Sequence, residues 1–409
     1  MYFAGKTTNQ LQREDVMHLT QIKKALPNFI ESRHDLFIDE NINKNIDKKP
    51  VVCGSRPCSG DVVMQTNDYL SLNNNEEITN VHIQAIRDNH ESLLMSGVYL
   101  LGAEDKPKFE TNLAKFTGFE SCVVSQSGWS ANISLLQTIC EKETNVYVDF
   151  FAHASLWEGA RIAGAKVHPF MHNNVRHLKR LLKKNGPGVI LVDSIYSTVG
   201  TVAPLVDIVS LAYDYDCALV VDESHSLGTH GPNGAGLVAE LGLTDHVDFI
   251  TVSLAKTFAY RAGAILSNAK TAYCIPIIAF PAIFSSAMLP YEMERLNTTL
   301  EVIQQSESRR IRLKKNAEYL ISNLREIGFN IRSGTQIIGL ETGDDANTLL
   351  IRNFLENNGI FGSVFCPPAT PKGRNIMRFS LNAEHTTDEL NRVIKVCQKA
   401  WEHPDLQFF

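Results

Sequence analysis

The feature that most constrains this chain is an alternation, from about residue 61 to residue 288, of short apolar runs with longer amphipathic stretches. The runs are Cys122–Ser125, Asn145–Asp149, Lys166–Phe170, Val189–Ser194, Ala218–Asp222, Phe249–Ser253 and Ala262–Leu266. Several are apolar almost throughout, as strands covered on both faces must be. Between them, Asn132–Cys140, Ser155–Gly164, Val175–Lys184 and Val206–Tyr215 carry helical spacing. This repetition predicts an α/β fold, a mostly parallel central sheet flanked by helices on both faces.

The 409 residues suffice for two packed domains. Residues 1–60 read as a polar N-terminal arm with a weak helical pattern over Leu19–Ser32, residues 61–295 as the large domain, and residues 296–409 as a smaller α+β domain. A long helical pattern runs from Pro290, suited to a first turn, to about Gly328. Strands near Ile337–Glu341, Ser363–Cys366 and Ile376–Leu381 and helices near Ala346–Asn357 and Thr387–Gln398 follow.

Composition removes several function classes. A net charge of -6 argues against a nucleic-acid footprint. None of the eight cysteines forms a C-x-x-C pair, so neither a metal site nor a redox motif is expected. The N-terminus lacks the apolar core of a signal peptide, and the most apolar stretch, Tyr273–Phe284, is short and interrupted by Pro276 and Pro281. The expectation is a cytoplasmic protein with no membrane insertion and no metal.

Two runs end in chemistry. Ala218–Asp222 leads into Glu223, Ser224 and His225, which puts Asp222 at a strand's carboxyl end, where open α/β sheets place ligands. About thirty residues on, Phe249–Ser253 leads into Leu254, Ala255 and Lys256. A carboxylate and an amine on one rim suit pyridoxal 5'-phosphate (PLP). The aspartate keeps the pyridine nitrogen protonated, the lysine carries the cofactor as a Schiff base, and Ser253 reaches a phosphate oxygen. Singly, each has a plainer explanation, a turn or cap for Asp222 and a solvated surface charge for Lys256. Ser127, Gly128 and Trp129 open a strand-to-helix turn whose backbone N–H groups can approach a phosphate. His153, past another strand, can stack on a flat ring or be structural. The glycines of Gly231–Gly236 follow the order G-x-x-G-x-G with no strand immediately before them, so they read as a loop, not a dinucleotide fingerprint. His168, His172 and His177 read as packing or surface residues.

Asn67-Asp68-Tyr69-Leu70, Ser127-Gly128-Trp129, Ala152-His153-Ala154-Ser155, Val221-Asp222-Glu223-Ser224-His225 and Ser253-Leu254-Ala255-Lys256 stand in the order found in the α-oxoamine synthases. The chain resembles that family over about residues 60–400. It is most similar to the quorum-sensing α-hydroxyketone autoinducer synthases of the Vibrio and Legionella type, notably at Phe150–His153, Ser155–Arg161, His168–Asn174 and Lys256–Gly263.

The resemblance implies a fold-type I PLP enzyme that joins an amino acid to an acyl-CoA, with S-adenosylmethionine or 2-aminobutyrate as the amino acid. It implies catalytic roles for Lys256, Asp222, His225 and His153. Asp222 pairs with the pyridine nitrogen, His225 and Ser197 contact the ring oxygen, and His153 stacks on the ring. Ser127, Gly128, Trp129 and Ser253 serve the phosphate, and Arg378 and Asn67 bind substrate. Ser285 and Ser286 reach the cofactor phosphate of a partner subunit, which makes the enzyme a homodimer with shared active sites. Relatives that use glycine carry small residues after the lysine, whereas this chain has Thr257-Phe258-Ala259-Tyr260-Arg261. That departure points away from glycine. A housekeeping synthase (8-amino-7-oxononanoate synthase or 2-amino-3-ketobutyrate CoA ligase) and a non-catalytic regulatory subunit of the same fold remain the alternatives.

Overall fold

The computed structural model describes residues 25–88, 94–100 and 108–409. The chain divides into two compact units, residues 1–53 and 54–409. In the first, a helix spans Asn28–Ile38 and passes into a single wide turn over Asp39–Asn43. Asn45 closes that segment by donating to the carbonyls of Asn41 and Lys49. The helical pattern expected over Leu19–Ser32 begins outside the described residues.

The second unit is built on seven strands: β1 Ser121–Ser125, β2 Asn145–Asp149, β3 Lys166–Phe170, β4 Gly188–Asp193, β5 Ala218–Asp222, β6 Phe249–Ser253 and β7 Gly263–Ser267. Their order is β1-β7-β6-β5-β4-β2-β3. All neighbours are parallel except β7, which runs antiparallel to both β1 and β6. Alternate residues of each strand feed different cores. Ile190, Val192, Leu219, Val221, Ile250 and Val252 join Leu178, Leu205 and Ile208 on one face. Val189, Leu191, Val220, Phe249 and Ile265 join Ala131, Leu135, Leu156 and Ala160 on the other. Both cores are apolar, which is why the strands read as continuous apolar runs rather than alternating ones.

The smaller sheet contains β8 Ile337–Gly343, β9 Ser363–Phe365 and β10 Asn375–Ser380, antiparallel in the order β9-β10-β8. Arg378 stands opposite Gly339 on β8 and Ser363 on β9. Two contacts carry this sheet to the main rim. A Cβ on Gly339 would meet the Thr198 carbonyl at 2.9 Å, so the loop after β4 lies directly against β8. Segment 62–69 runs beside β10: Ser380 N donates to the Met64 carbonyl and Ala383 N to the Tyr69 carbonyl, both at 2.8 Å.

Element ends depart from the sequence reading in two instructive places. The helix expected from Asn132 starts at Gly128, because the Ser127 side chain caps it by accepting from Ser130 N at 3.1 Å. The long helical pattern after Pro290 is two helices, Pro290–Gln305 and Glu307–Ile327. Ser306 separates them with ψ at 34°, its hydroxyl bonded back to the Val302 carbonyl at 2.7 Å, a competition that bends helices. No described helix is long and apolar enough to cross a membrane.

Candidate active site

Three strands end in aspartate on the same rim: Asp149, Asp193 and Asp222, all buried. Asp193 and Asp222 are register partners across β4 and β5. Asp222 is held on both oxygens. Ser224 N donates to Oδ1 at 2.9 Å and Asn132 Nδ2 to Oδ2 at 2.8 Å. Asn132 Nδ2 also reaches Ser155 Oγ at 2.8 Å, which lies 2.7 Å from His153 Nδ1. Burial and the neighbouring Asp222 push the Asp193 carboxyl well above the usual range, opposed by the His153 backbone N–H that it accepts at 3.1 Å. Burial lowers the His153 imidazole, with Asp222 opposing and Lys256 adding to the shift. Trp129 meets the His153 ring edge-on, centroids 6.2 Å apart.

Lys256 follows β6 and opens on a cavity of about 490 Å³ shared with Asn67, Asp68, Tyr260 and Arg261. Among the described residues no hydrogen bond or ion pair engages its amine. Burial and Arg378 depress that amine below the usual lysine range, with Asp222 opposing. Ser253, three positions earlier, abuts the capped turn. A Cβ on Gly128 would meet Ser253 Cβ at 2.6 Å and Cα at 2.9 Å, so only glycine lets the first helical turn approach that serine.

A second chain of contacts joins the two sheets. Tyr69 Oη is 2.6 Å from His225 Nδ1 and 3.3 Å from Asn67 Oδ1. Arg378 Nη2 donates to Asn67 Oδ1 at 3.0 Å and Nη1 to the Ser197 carbonyl at 2.8 Å, while Phe365 stacks 4.6 Å from the guanidinium. Arg378 is only 4% exposed, yet among the described residues its Nε has no hydrogen-bond partner. A buried donor without a protein partner is available to an acceptor supplied from outside the chain.

The geometry thus brings together Asp222, His225, His153, Lys256, Ser127, Gly128, Trp129 and Ser253, and links Asn67, Ser197 and Arg378. Ser285 and Ser286 stand apart, lining a different, largely apolar cavity of about 470 Å³ with Gln126, Ser130 and Tyr273. Sequence reasoning missed Tyr69, Asn132, Ser155 and Asp193 as site residues. Asp193 alone gave a signal, since it ends an apolar run as Asp222 does. The glycine-rich loop has a structural use: buried Glu223 Oε1 accepts from Ser226 Oγ, Leu237 N and Val238 N. His172 is also structural in geometry, bridging Asp149 Oδ1 and Thr201 Oγ1 at 2.9 and 2.8 Å.

The family model for aminotransferases of class I and II matches residues 60–396. A CAI-1 autoinducer synthase from Vibrio campbellii is 57% identical, over 94% of this chain and 98% of its own length. This chain belongs to the class I and II aminotransferase family. Within that family it falls among the α-oxoamine synthases. A serine palmitoyltransferase from Caulobacter vibrioides is 30% identical over 82% of this chain and 84% of its own. A putative 8-amino-7-oxononanoate synthase from Acetivibrio thermocellus is 31% identical over 82% and 87%. The fold is that of fold-type I PLP transferases. The structure of a serine palmitoyltransferase from S. paucimobilis with a bound PLP–myriocin aldimine superposes with a TM-score of 0.79 at 24% identity, covering 91% of this chain and 96% of that one.

This family member is a PLP-dependent enzyme. Its residues fit the cofactor. The unengaged Lys256 amine, the doubly held Asp222 carboxylate and the Gly128–Ser253 approach at a capped helix N-terminus supply, in turn, a point of attachment, a partner for a cationic ring nitrogen and a seat for a phosphate.

Proposed function

We propose that this enzyme is a C-acyltransferase that condenses a medium-chain acyl-CoA with S-adenosylmethionine or 2-aminobutyrate, releasing CoA and carbon dioxide and, where S-adenosylmethionine is the amino acid, methylthioadenosine. The product is an α-aminoketone or its enamine form, the precursor of an α-hydroxyketone autoinducer. The observation that carries this reading is the convergence of Asp222, Lys256 and the open Nε of Arg378 from separate strands. The 57% identity to a CAI-1 autoinducer synthase favours it over the 8-amino-7-oxononanoate synthase reading, whose relatives stand at 28% to 31%.

PLP, when bound, supplies an electron sink for charge that develops at the substrate's α-carbon. Asp222 holds the positive charge of the ring nitrogen, and Asn132 and the Ser224 N–H fix its carboxylate for that task. His153 covers one ring face. Ser127, Gly128, Trp129 and Ser253 seat the phosphate. Lys256 carries the cofactor and then moves the α-proton, a task that its depressed basicity suits. Arg378, with Nε and Nη2 on one edge of its guanidinium, clamps the amino-acid carboxylate while Asn67 fixes that edge. His225 and Ser197 face the ring oxygen. Residues 296–409 form the small domain that delivers Arg378. We place the enzyme in the cytoplasm as a homodimer, with Ser285 and Ser286 reaching the partner's cofactor.

Mass spectrometry of products made from a panel of amino acids and acyl-CoAs tests this reading. The expected result is an aminoketone of decanoyl-CoA or a near homologue with S-adenosylmethionine or 2-aminobutyrate, lost in Lys256→Ala. Faster turnover with glycine, or product from Lys256→Ala, would reject it.

A further inference from the structure

Tyr69 is wholly buried and lies between two groups that the proposed chemistry uses. Its hydroxyl is 2.6 Å from His225 Nδ1 and 3.3 Å from Asn67 Oδ1, the atom that already accepts from Arg378 Nη2. Among the described residues His225 Nε2 has no hydrogen-bond partner, so Tyr69 is what holds the imidazole from the far side. The loop that presents Tyr69 is itself fixed: Tyr69 N donates to the Asn67 carbonyl, and Ala383 N donates to the Tyr69 carbonyl.

The number of hydrogens in this chain of contacts decides its direction. Burial, joined by Lys256, Arg378 and His153, pushes the His225 imidazole well below its usual range, so the ring is neutral and carries one hydrogen. Burial pushes the Tyr69 phenol above its range, so it keeps its own hydrogen. Either the phenol donates to Nδ1 and the imidazole hydrogen sits on Nε2, or Nδ1 donates to the phenol and the phenol donates to Asn67. A separation of 2.6 Å suits O–H donating to nitrogen, whereas 3.3 Å is long for O–H donating to oxygen. The Asn67 oxygen is also already served by Arg378.

We propose that Tyr69 is a positioning residue that locks His225 with its hydrogen on Nε2, so that His225 faces the site as a donor. The inference rests on the reading that places the cofactor's ring oxygen beside His225. A donor there stabilises the state in which that oxygen bears uncompensated negative charge, and so lowers the pH at which the lysine-bound cofactor changes its visible absorption. The other titratable groups around that chromophore are Lys256, Asp222, His153 and Arg378.

The test is a pH titration of the visible band of PLP-loaded protein for wild type, Tyr69→Phe, His225→Ala and the double variant. Tyr69→Phe keeps the ring and removes one oxygen. The expected result is an upward shift of the midpoint by about one pH unit, the worth of one hydrogen bond to a charged group. His225→Ala shifts at least as far, and the double variant matches His225→Ala alone, because Tyr69 acts through His225. An unmoved midpoint in Tyr69→Phe with a clear shift in His225→Ala overturns the inference, as do additive shifts. If neither variant moves the midpoint, the placement of His225 beside the ring oxygen fails instead. Should Tyr69→Phe not fold, a fluorinated tyrosine installed at position 69 replaces it. Its more acidic phenol makes Nε2–H a stronger donor and must move the midpoint downward; no shift overturns the proposal.

Discussion

Asn132 Nδ2 lies 2.8 Å from Asp222 Oδ2, and both side chains are buried. The two residues are 90 positions apart, one in the first turns of a helix and the other at the end of β5. Asn132 thereby aims the carboxylate at whatever occupies the rim. Replacing it with leucine keeps the bulk and removes the donor, which costs about 1–2 kcal/mol at a charged acceptor. Asn132→Leu should therefore retain PLP roughly tenfold more weakly, measured by dialysis against limiting cofactor, with little change in thermal midpoint. Equal retention would show that the Ser224 N–H alone holds Asp222.

Arg378→Lys is the sharpest probe of the clamp. The guanidinium bonds the Ser197 carbonyl and Asn67 Oδ1 at once while stacking on Phe365, and an ammonium cannot do all three. The amino-acid KM should rise about a hundredfold, and the acyl-CoA KM should stay within a few-fold. A rise confined to the acyl-CoA would move Arg378 out of the amino-acid site.

What could be read in the sequence follows from contact range. Asp222 and Lys256 stood out because one closes an apolar run and the other stands three positions past one, and parallel strands deliver their carboxyl ends to one edge. All seven strands of the main sheet were placed within a residue or so for the same reason. The antiparallel course of β7 was not readable, since a strand buried on both faces looks alike in either direction. Tyr69, Asn132 and Asp193 were passed over because their roles depend on partners far along the chain or on a neighbouring strand. The link from Asn67 to Arg378 spans 311 positions. Apart from the apolar run that Asp193 closes, nothing local distinguishes such residues from ordinary core or cap positions.

Glu223 makes a prediction about pH. Burial raises its carboxyl from 4.5 to about 7, against the N–H of Val238 and the Ser226 hydroxyl. A carboxyl raised in the folded state binds more protons folded than unfolded between those values, so stability falls as pH rises through that window. The ceiling on this effect is about 3 kcal/mol. Wild type should lose a few degrees of thermal midpoint between pH 5 and pH 8 relative to Glu223→Gln, whose amide does not titrate. Parallel profiles for the two proteins would refute a raised Glu223.

Gly263 opens β7 at the point where the strand passes the capped turn. A Cβ there would stand 2.3 Å from the Ser127 carbonyl oxygen, 2.4 Å from its carbon and 2.6 Å from Gly128 N. All three are backbone atoms, so no rotamer change relieves the clash, and the Ser127–Gly128 turn itself must shift. Those are the amides proposed to meet the cofactor phosphate. Gly263→Ala should cost about 1–3 kcal/mol of stability and weaken PLP binding more than tenfold, even with Lys256 intact. Gly334→Ala is the matched control, because nothing lies within 4 Å of its added methyl group and its backbone is not in the left-handed region. That variant should be neutral or slightly stabilising through the unfolded chain. Equal cofactor affinity in the two variants would mean that the phosphate is held elsewhere.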